Sequence, residues 1–190
     1  MQNTPKIILG IDPGTLVMGF GVLSVQGQAL KLICMDVLKI PTRYDTYERL
    51  EIIYRKVTEL IHQYKPDEFA IEAPFFGKNV QSMLKLGRAQ GVAIAAAMQH
   101  TLPISEYSPK KVKQSITGNG NAGKEQVLKM VEKLLQVQCT PRQFDASDAI
   151  AVAICHSFQG KMPVMKGAKK SADWKQFISG NPHRLSRPVK

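Results

Sequence analysis

The sequence predicts an α/β protein with a mixed five-stranded sheet flanked by helices. Three strand-like segments open the chain, and Gln-Gly-Gln at 26–28 predicts a hairpin between the second and the third. Helical and strand-like segments then alternate, which implies a sheet with both parallel and antiparallel strands and helices on its faces. The predicted strands are 6–12, 18–25, 29–40, 69–72 and 104–107, and the predicted helices are 44–64, 79–100, 109–116, 124–135 and 145–158.

The strands are predicted from short apolar runs that stop at turn signals. Residues 6–12 read Lys-Ile-Ile-Leu-Gly-Ile-Asp and stop before Pro13-Gly14. Residues 69–72 read Phe-Ala-Ile-Glu and stop before Pro74. The other three strands are predicted from similar apolar runs.

The helices are predicted from apolar residues at helical spacing and from their end signals. Residues 44–64 carry such a pattern, with Ile53 and Val57 among its members, and Pro66 closes the helix. Residues 79–100 are rich in Gly and Ala. The three later helices complete the alternating order.

Composition predicts one domain followed by a basic arm. With 190 residues, 44% of them hydrophobic, the chain can build one core. The net charge is +11, and residues 160–190 hold eight Lys or Arg and one acid, for a net charge of +7. We therefore predict a globular domain at 1–159 and a flexible basic arm at 160–190. Such an arm attracts polyanions such as DNA, although a purely solubilising tail shows the same pattern.

The sequence also indicates a soluble, cytoplasmic protein with no membrane partner. It contains no run of 18 uninterrupted apolar residues and no secretion leader at its N-terminus. Cys34, Cys139 and Cys155 lack the spacing of a metal or redox site. We expect them to be buried thiols in a reducing compartment.

Four acids are candidate metal ligands. Asp12 and Glu72 each end an apolar strand, where an acid can project into a cleft and be compensated by a cation. Asp145 and Asp148 lie three residues apart, on one face of a predicted helix. Mg²⁺ prefers hard oxygen ligands, and two divalent cations about 3.5–4 Å apart can activate water and neutralise the leaving oxygen in phosphodiester hydrolysis. The combination predicts a Mg²⁺-dependent nuclease.

Taken singly, these acids have ordinary structural explanations. Asp145 can be a helix N-cap with Asp148 in the first turn, and Asp12 before Pro-Gly can be a turn residue. Glu72 is harder to explain in this way because Glu is a poor strand residue. The prediction depends on all four acids together.

Several segments resemble the RuvC family of Holliday-junction resolvases, over about residues 6–158. Any one match can arise by chance, but their order and spacing are specific. The matching stretches are Ile-Leu-Gly-Ile-Asp-Pro-Gly (8–14), Phe-Ala-Ile-Glu (69–72), Lys-Asn (78–79), Leu-Lys-Leu-Gly-Arg-Ala-Gln-Gly-Val-Ala-Ile (84–94), Val-Lys-Gln (112–114) and Asp-Ala-Ser-Asp-Ala (145–149).

The resemblance implies an RNase H-like fold and a homodimer that places paired, symmetric nicks in a four-way DNA junction. It implies that Asp12, Glu72, Asp145 and Asp148 are the catalytic acids and bind two Mg²⁺ ions, with Mn²⁺ as a substitute. A RuvA–RuvB branch-migration complex is an implied partner. Residues 86–98 are a candidate for close helix packing in a dimer, although packing within the domain explains their small side chains equally well.

The resemblance also implies DNA contacts after the strand-end glutamate and in the later helices. An aromatic at Phe75, followed by Phe76, can stack on an unpaired base, which is worth roughly 1–3 kcal/mol. Both rings can instead enter the core. Lys78, Lys113 and Lys124 match family positions for DNA or phosphate contact, although an isolated lysine is usually a solvated surface residue.

Three other functions are weighed. Residues 118–124 fit the G-x₄-G-K pattern of a P-loop, but Glu125 replaces the Ser or Thr that meets Mg²⁺, and a helix end precedes the pattern. Residues 10–15 resemble the phosphate loop of actin-like and sugar-kinase-like ATPases, which need two such domains. A non-catalytic junction-binding module of the same fold is the third alternative, and the presence of four acids argues against it.

Overall fold

The computed structural model describes residues 4–74, 79–140 and 144–159. These residues form five strands and five helices. The strands are β1 (Lys6–Asp12), β2 (Val17–Gln26), β3 (Ala29–Lys39), β4 (Glu68–Glu72) and β5 (Ile104–Tyr107), and the helices are α1 (Thr46–Tyr64), α2 (Val80–Gln99), α3 (Pro109–Thr117), α4 (Lys124–Leu135) and α5 (Phe144–Gln159).

The five strands form one mixed sheet in the order β3-β2-β1-β4-β5. β1 is antiparallel to β2 and parallel to β4, β2 is antiparallel to β3, and β4 is parallel to β5. The predicted hairpin is present, with Gly27 at φ 57° between the paired residues Gln26 and Ala29. Glycine accepts this left-handed conformation without steric strain. The predicted fold class is confirmed.

The start of α1 differs most from its prediction, by two residues. The helix begins at Thr46 because Asp45 caps it: the Asp45 carboxylate accepts hydrogen bonds from the N–H groups of Tyr47 and Glu48, at 2.7 and 2.9 Å. The Glu48 carboxylate accepts one from the Asp45 N–H at 2.7 Å, which completes a capping box. The other helix and strand ends lie within one residue of prediction, a difference that local end geometry produces.

Helices cover both faces of the sheet, and each face has its own apolar core. Successive side chains of a strand point to opposite faces, so alternate residues of β1 and β4 enter different cores. The helices α1 and α2 supply the buried residues on one face, and α3, α4 and α5 supply them on the other. Leu9, Ile11, Phe69 and Ile71 enter the first core, and Ile8 and Ala70 enter the second.

Two glycines allow α5 to lie close against the sheet. A Cβ at Gly10 of β1 would collide with the carbonyl oxygen of Ala149 and approach Ala153 to 2.9 Å. A Cβ at Gly21 of β2 would lie 2.9 Å from the Cα of Ile150. A glycine inside a strand often marks such a close approach of another backbone. These contacts fix the position of α5 over β1 and β2.

Cysteine burial departs from expectation. The three thiols are free, but only Cys155 is buried, whereas Cys34 and Cys139 are half-buried. Cys34 is on β3, one of the two edge strands of the sheet, and an edge strand is less completely covered than a central one. Across the described ranges, no helix is both long and apolar enough to cross a membrane.

The P-loop alternative does not fit the fold. Residues 118–123 connect two helices, α3 and α4, and no strand leads into them as a P-loop requires. Gly118 has φ 77° and ends α3, and Gly123 precedes the first residue of α4.

Candidate active site

The carboxyl ends of β1 and β4 bring the first two candidate acids to one edge of the sheet. The strands are parallel, with Ile11 paired to Ile71, so Asp12 and Glu72 follow as neighbouring strand ends. Both residues are half-buried. Asp148 lies on α5, which packs across β1 just beyond Gly10. Two strand ends and one helix therefore converge on the same region.

The electrostatic environment of Glu72 shows that the three acids influence one another. Its pKa is raised to about 8, first because burial disfavours the charged form, and then because Asp12 and Asp148 repel a further negative charge. The ammonium of Lys113 opposes this shift. The arrangement favours the binding of positive charge, since a cation would stabilise all three carboxylates.

A cavity of about 230 Å³ is lined by Glu72 and Asp148. Lys124, the first residue of α4, reaches it and places its Nζ 3.0 Å from Oδ2 of Asp148. The Lys124 side chain is 53% exposed and that of Asp148 is 30% exposed, so the pair lies at the mouth of the site. The lining residues are Glu72, Pro109, Val112, Lys113, Lys124, Val127, Asp148 and Ala151.

The remaining predicted site residues are described less fully. Helix α5 begins at Phe144, so Asp145 lies within its first turn. An N-cap residue precedes the helix, so the interpretation of Asp145 as the N-cap is wrong. The side chain of Asp145 is not among the described parts of the structure. Phe75, Phe76, Lys78 and the arm at 160–190 also lie outside the described residues.

The donor chemistry of the site fits a hard divalent cation. Carboxylate oxygens are the ligands that Mg²⁺ prefers, and the crowding around Glu72 is the kind of charge that such an ion compensates. The side chain of Asp145 is not described. Among the side chains that are described, there is no cluster of three or more His, Cys, Asp or Glu residues that could hold a metal ion. Asp12, Glu72 and Asp148 therefore influence one another electrostatically without forming a closed ligand cage.

Sequence reasoning did not assign a role to Gly10, although it helps to position the site. Without a side chain at Gly10, α5 comes close enough to β1 to bring Asp148 towards Asp12. The available signal was a glycine inside an apolar strand, two residues before the strand-end acid.

The sheet order, the helices on both faces and the acids at the strand ends define the class of protein as an RNase H-like nuclease. A similar fold is seen in the yeast mitochondrial Holliday junction resolvase, with a TM-score of 0.59 and 14% identity over 78% of this chain and 76% of that one. The model of the family described as crossover junction endodeoxyribonuclease RuvC matches residues 8–156. The chain belongs to this family.

Relatives and a solved structure agree with this assignment. A crossover junction endodeoxyribonuclease RuvC of Christiangramia forsetii is 50% identical over 96% of this chain and 94% of its own length. The corresponding protein of Porphyromonas gingivalis is 49% identical over 97% of this chain and its whole length. The structure of Thermus thermophilus RuvC in complex with Holliday junction substrate is 34% identical, with a TM-score of 0.77 over 83% of this chain and 96% of that one.

Proposed function

We propose that this chain resolves four-way DNA junctions by hydrolysing one phosphodiester bond in each of two symmetric strands. Family membership supports the reaction. The single observation that carries the chemistry is the convergence of Asp12, Glu72 and Asp148 where β1, β4 and α5 meet, with Glu72 half-buried and its pKa raised by burial and by the other two acids. Carboxylates crowded in a partly buried cleft are poorly suited to a structural role alone, but they are well suited to holding a cation against a phosphate.

We infer that Asp12, Glu72, Asp145 and Asp148 hold two Mg²⁺ ions, which Mn²⁺ can replace. When bound, such ions activate the attacking water and neutralise the leaving oxygen. The chain supplies the rigidity: two of these acids are fixed at adjacent strand ends, and Asp148 is fixed by the close packing of α5 on the sheet. Rigid elements hold a reactive geometry better than loops do.

Basic and aromatic residues around the cavity are proposed to bind the DNA. Lys113 and Lys124 line the cavity beside Glu72 and Asp148, where their ammonium groups can meet a phosphate. Phe75 and Phe76, which follow the strand-end acid, are proposed to stack on bases opened at the junction centre, with Lys78 contacting the backbone. This arrangement favours a distorted junction over intact duplex.

A homodimer is proposed to form through α2. Large apolar side chains on this helix are exposed, at 64% for Val80, 52% for Leu84 and 64% for Met98. Open space surrounds Gly87 and Gly91. Alternating steps of three and four residues, the spacing of a helix–helix contact, relate the positions 80, 84, 87, 91 and 98. These five positions are called the seam of α2. A two-fold dimer would present two equal sites to a two-fold symmetric junction.

We further propose that residues 1–159 are the nuclease domain and that residues 160–190 are a basic arm. A RuvA–RuvB branch-migration complex is the partner that family resemblance suggests. We infer a cytoplasmic location because the proposed substrate is cellular DNA.

The direct test is nicking of a synthetic four-way junction, labelled on each strand, by the full chain in Mg²⁺. We expect paired symmetric nicks in the junction and little cutting of linear duplex of the same sequence. The variants Asp12→Asn and Asp148→Asn should nick at least about a hundredfold more slowly, because each removes a proposed metal ligand. Both should still bind the junction, since the basic contacts remain.

Asp36→Asn is the matched control, because Asp36 is an exposed acid on β3, outside the cavity lining. It should cut at the wild-type rate. Normal cutting by Asp12→Asn would show that the site assignment is wrong. A wild-type protein that binds junctions and never cuts them would favour the non-catalytic junction-binding module.

A further inference from the structure

The ion pair between Lys124 and Asp148 is an unusual feature of the site. The Lys124 Nζ lies 3.0 Å from Oδ2 of a carboxylate that is proposed to bind metal. Lys124 is also the first residue of α4, where the positive end of the helix dipole makes a cation unfavourable. A pair of side chains this exposed contributes little to stability. The pair with Asp148 is therefore better explained by the function of the site than by folding.

The charges around the pair indicate that Lys124 affects the binding of a cation to Asp148. The carboxylates of Asp12 and Asp148 are close enough to Glu72 to repel a negative charge there. The Lys124 ammonium is a positive charge in direct contact with the Asp148 carboxylate. An ammonium at this distance opposes the approach of a divalent cation to the same carboxylate. The Lys124 side chain is long, flexible and 53% exposed, so its ammonium can reach a phosphate at the mouth of the cavity.

We propose that Lys124 couples the binding of DNA to the binding of metal. In the DNA-free protein, Lys124 neutralises Asp148 and weakens metal binding. A DNA phosphate entering the cavity takes the ammonium as its own partner and leaves Asp148 to the metal. This inference rests on the proposed function and adds to it a mechanism that keeps the metal site weak until substrate arrives.

Thermodynamic linkage requires that the coupling between DNA and metal act in both directions. If DNA binding strengthens metal binding through Lys124, then metal must strengthen DNA binding by the same factor. A lysine that only contacts phosphate would have no effect on metal binding without DNA. The sign of that effect therefore separates coupling from simple phosphate contact.

The test is titration of the full chain with Mn²⁺ in the absence of DNA, followed by calorimetry or by the loss of the free Mn²⁺ electron-spin signal. Lys124→Gln should bind Mn²⁺ about fivefold or more tightly than wild type, because the competing charge is gone. Lys124→Arg, which keeps the charge, should stay near the wild-type affinity. Lys129→Gln is the matched control, an exposed lysine of the same helix outside the lining of this cavity.

A second arm measures junction affinity with and without Ca²⁺ by fluorescence anisotropy. The wild type should bind the junction more tightly with Ca²⁺, and Lys124→Gln should lose most of that enhancement. Unchanged or weaker Mn²⁺ binding by Lys124→Gln would overturn the coupling while leaving the nuclease proposal intact, provided that Asp148→Asn still abolishes Mn²⁺ binding. If neither wild type nor Lys124→Gln binds Mn²⁺, or if Asp148→Asn binds it normally, the metal site and the coupling fail together.

Discussion

Strand β4 carries a glutamate at each end, and the two carboxyl groups have pKa values shifted in opposite directions. Burial raises the pKa of Glu72 to about 8, and the repulsion of Asp12 and Asp148 adds to that effect. Burial also acts to raise the pKa of Glu68, but hydrogen bonds with Lys6 and His156, at 2.7 and 2.8 Å, outweigh it and lower the pKa overall. The sign of the neighbouring charges, rather than burial alone, therefore decides whether the pKa of each glutamate is raised or lowered.

The stability of the metal-free protein should therefore depend on pH through Glu72. In the folded state the pKa of Glu72 is about 8, so the carboxyl group keeps its proton up to that pH. In the unfolded chain the carboxyl group loses its proton near its ordinary pKa of 4.5. The free energy of unfolding should fall as pH rises through this window, by about 2–4 kcal/mol for this group. Urea unfolding of wild type and Glu72→Gln in a chelating buffer from pH 4 to pH 9 measures this free energy. As the pH rises, the variant should become progressively more stable than wild type.

Glu68→Gln is the contrasting control from the same strand. Its carboxylate is stabilised by Lys6 and His156, so the substitution should destabilise the protein at neutral pH. Because the pKa of Glu68 is lowered, that difference should vanish as pH falls through the folded-state value. A difference between wild type and Glu72→Gln that does not change between pH 4.5 and pH 8 would contradict the electrostatic account of the site.

At the scale of elements, the position of α5 over the sheet determines where Asp148 lies. Strand β1 gives Asp12 a fixed place at the sheet edge, but Asp148 reaches the same region only because α5 lies directly on Gly10 and Gly21. The helix is lined on this side by small residues such as Ala149 and Ala153, which are fully buried. Protein interiors are close-packed, so even one added methyl group must move the helix.

Gly10→Ala should therefore destabilise the fold and impair the site. The new Cβ collides with the carbonyl oxygen of Ala149, which cannot rotate away, and we expect a loss of about 2–3 kcal/mol in the free energy of unfolding. The surviving folded protein should also bind Mn²⁺ more weakly, because α5 is displaced. Chemical denaturation and a Mn²⁺ titration measure the two effects.

Gly123→Ala provides the control, because its φ of −71° suits alanine and no atom lies within 4 Å of the added Cβ. We expect it to change the free energy of unfolding by about 1 kcal/mol or less. If Gly10→Ala proved as mild as Gly123→Ala, α5 would not be seated as closely as described.

At the scale of the whole molecule, α2 leaves apolar surface uncovered. One side of this helix buries Ala89, Ala93, Ala96 and Ala97 against the sheet, whereas Leu84 and its seam neighbours remain exposed. Scattered apolar residues are normal on a surface, but apolar side chains and glycines that share one face of a helix can mark an interface. A second copy of the chain is the occupant that a two-fold symmetric substrate calls for.

Leu84→Glu should convert the dimer to a monomer, because it places a charge within the seam. Sedimentation or light scattering would measure the mass, and the monomer should lose coordinated nicking of opposite strands more than it loses nicking as such. Ile33→Glu is the matched control, since Ile33 is 42% exposed on β3, away from α2. A wild type that is monomeric at working concentration would exclude this seam as the interface.

The sequence predicted the secondary structure closely because the local signals agreed with the final packing. β1, β5 and α4 have the predicted bounds. The largest displacement, at the start of α1, is due to the cap formed by Asp45, whose role depends on side-chain geometry. The convergence of Asp12, Glu72 and Asp148 was expected from their motifs. Their catalytic roles, and those of Asp145 and the DNA-contacting residues, stay predictions.

The chain by itself determined the elements, the fold class and the family, because apolar periodicity, turn residues and ordered motifs are written in the order of amino acids. Only the tertiary structure decided the order β3-β2-β1-β4-β5, the contact of Lys124 with Asp148 and the uncovered row on α2. These features depend on distances between residues far apart in sequence. Such distances are set by how helices and strands pack, which local residue patterns do not encode.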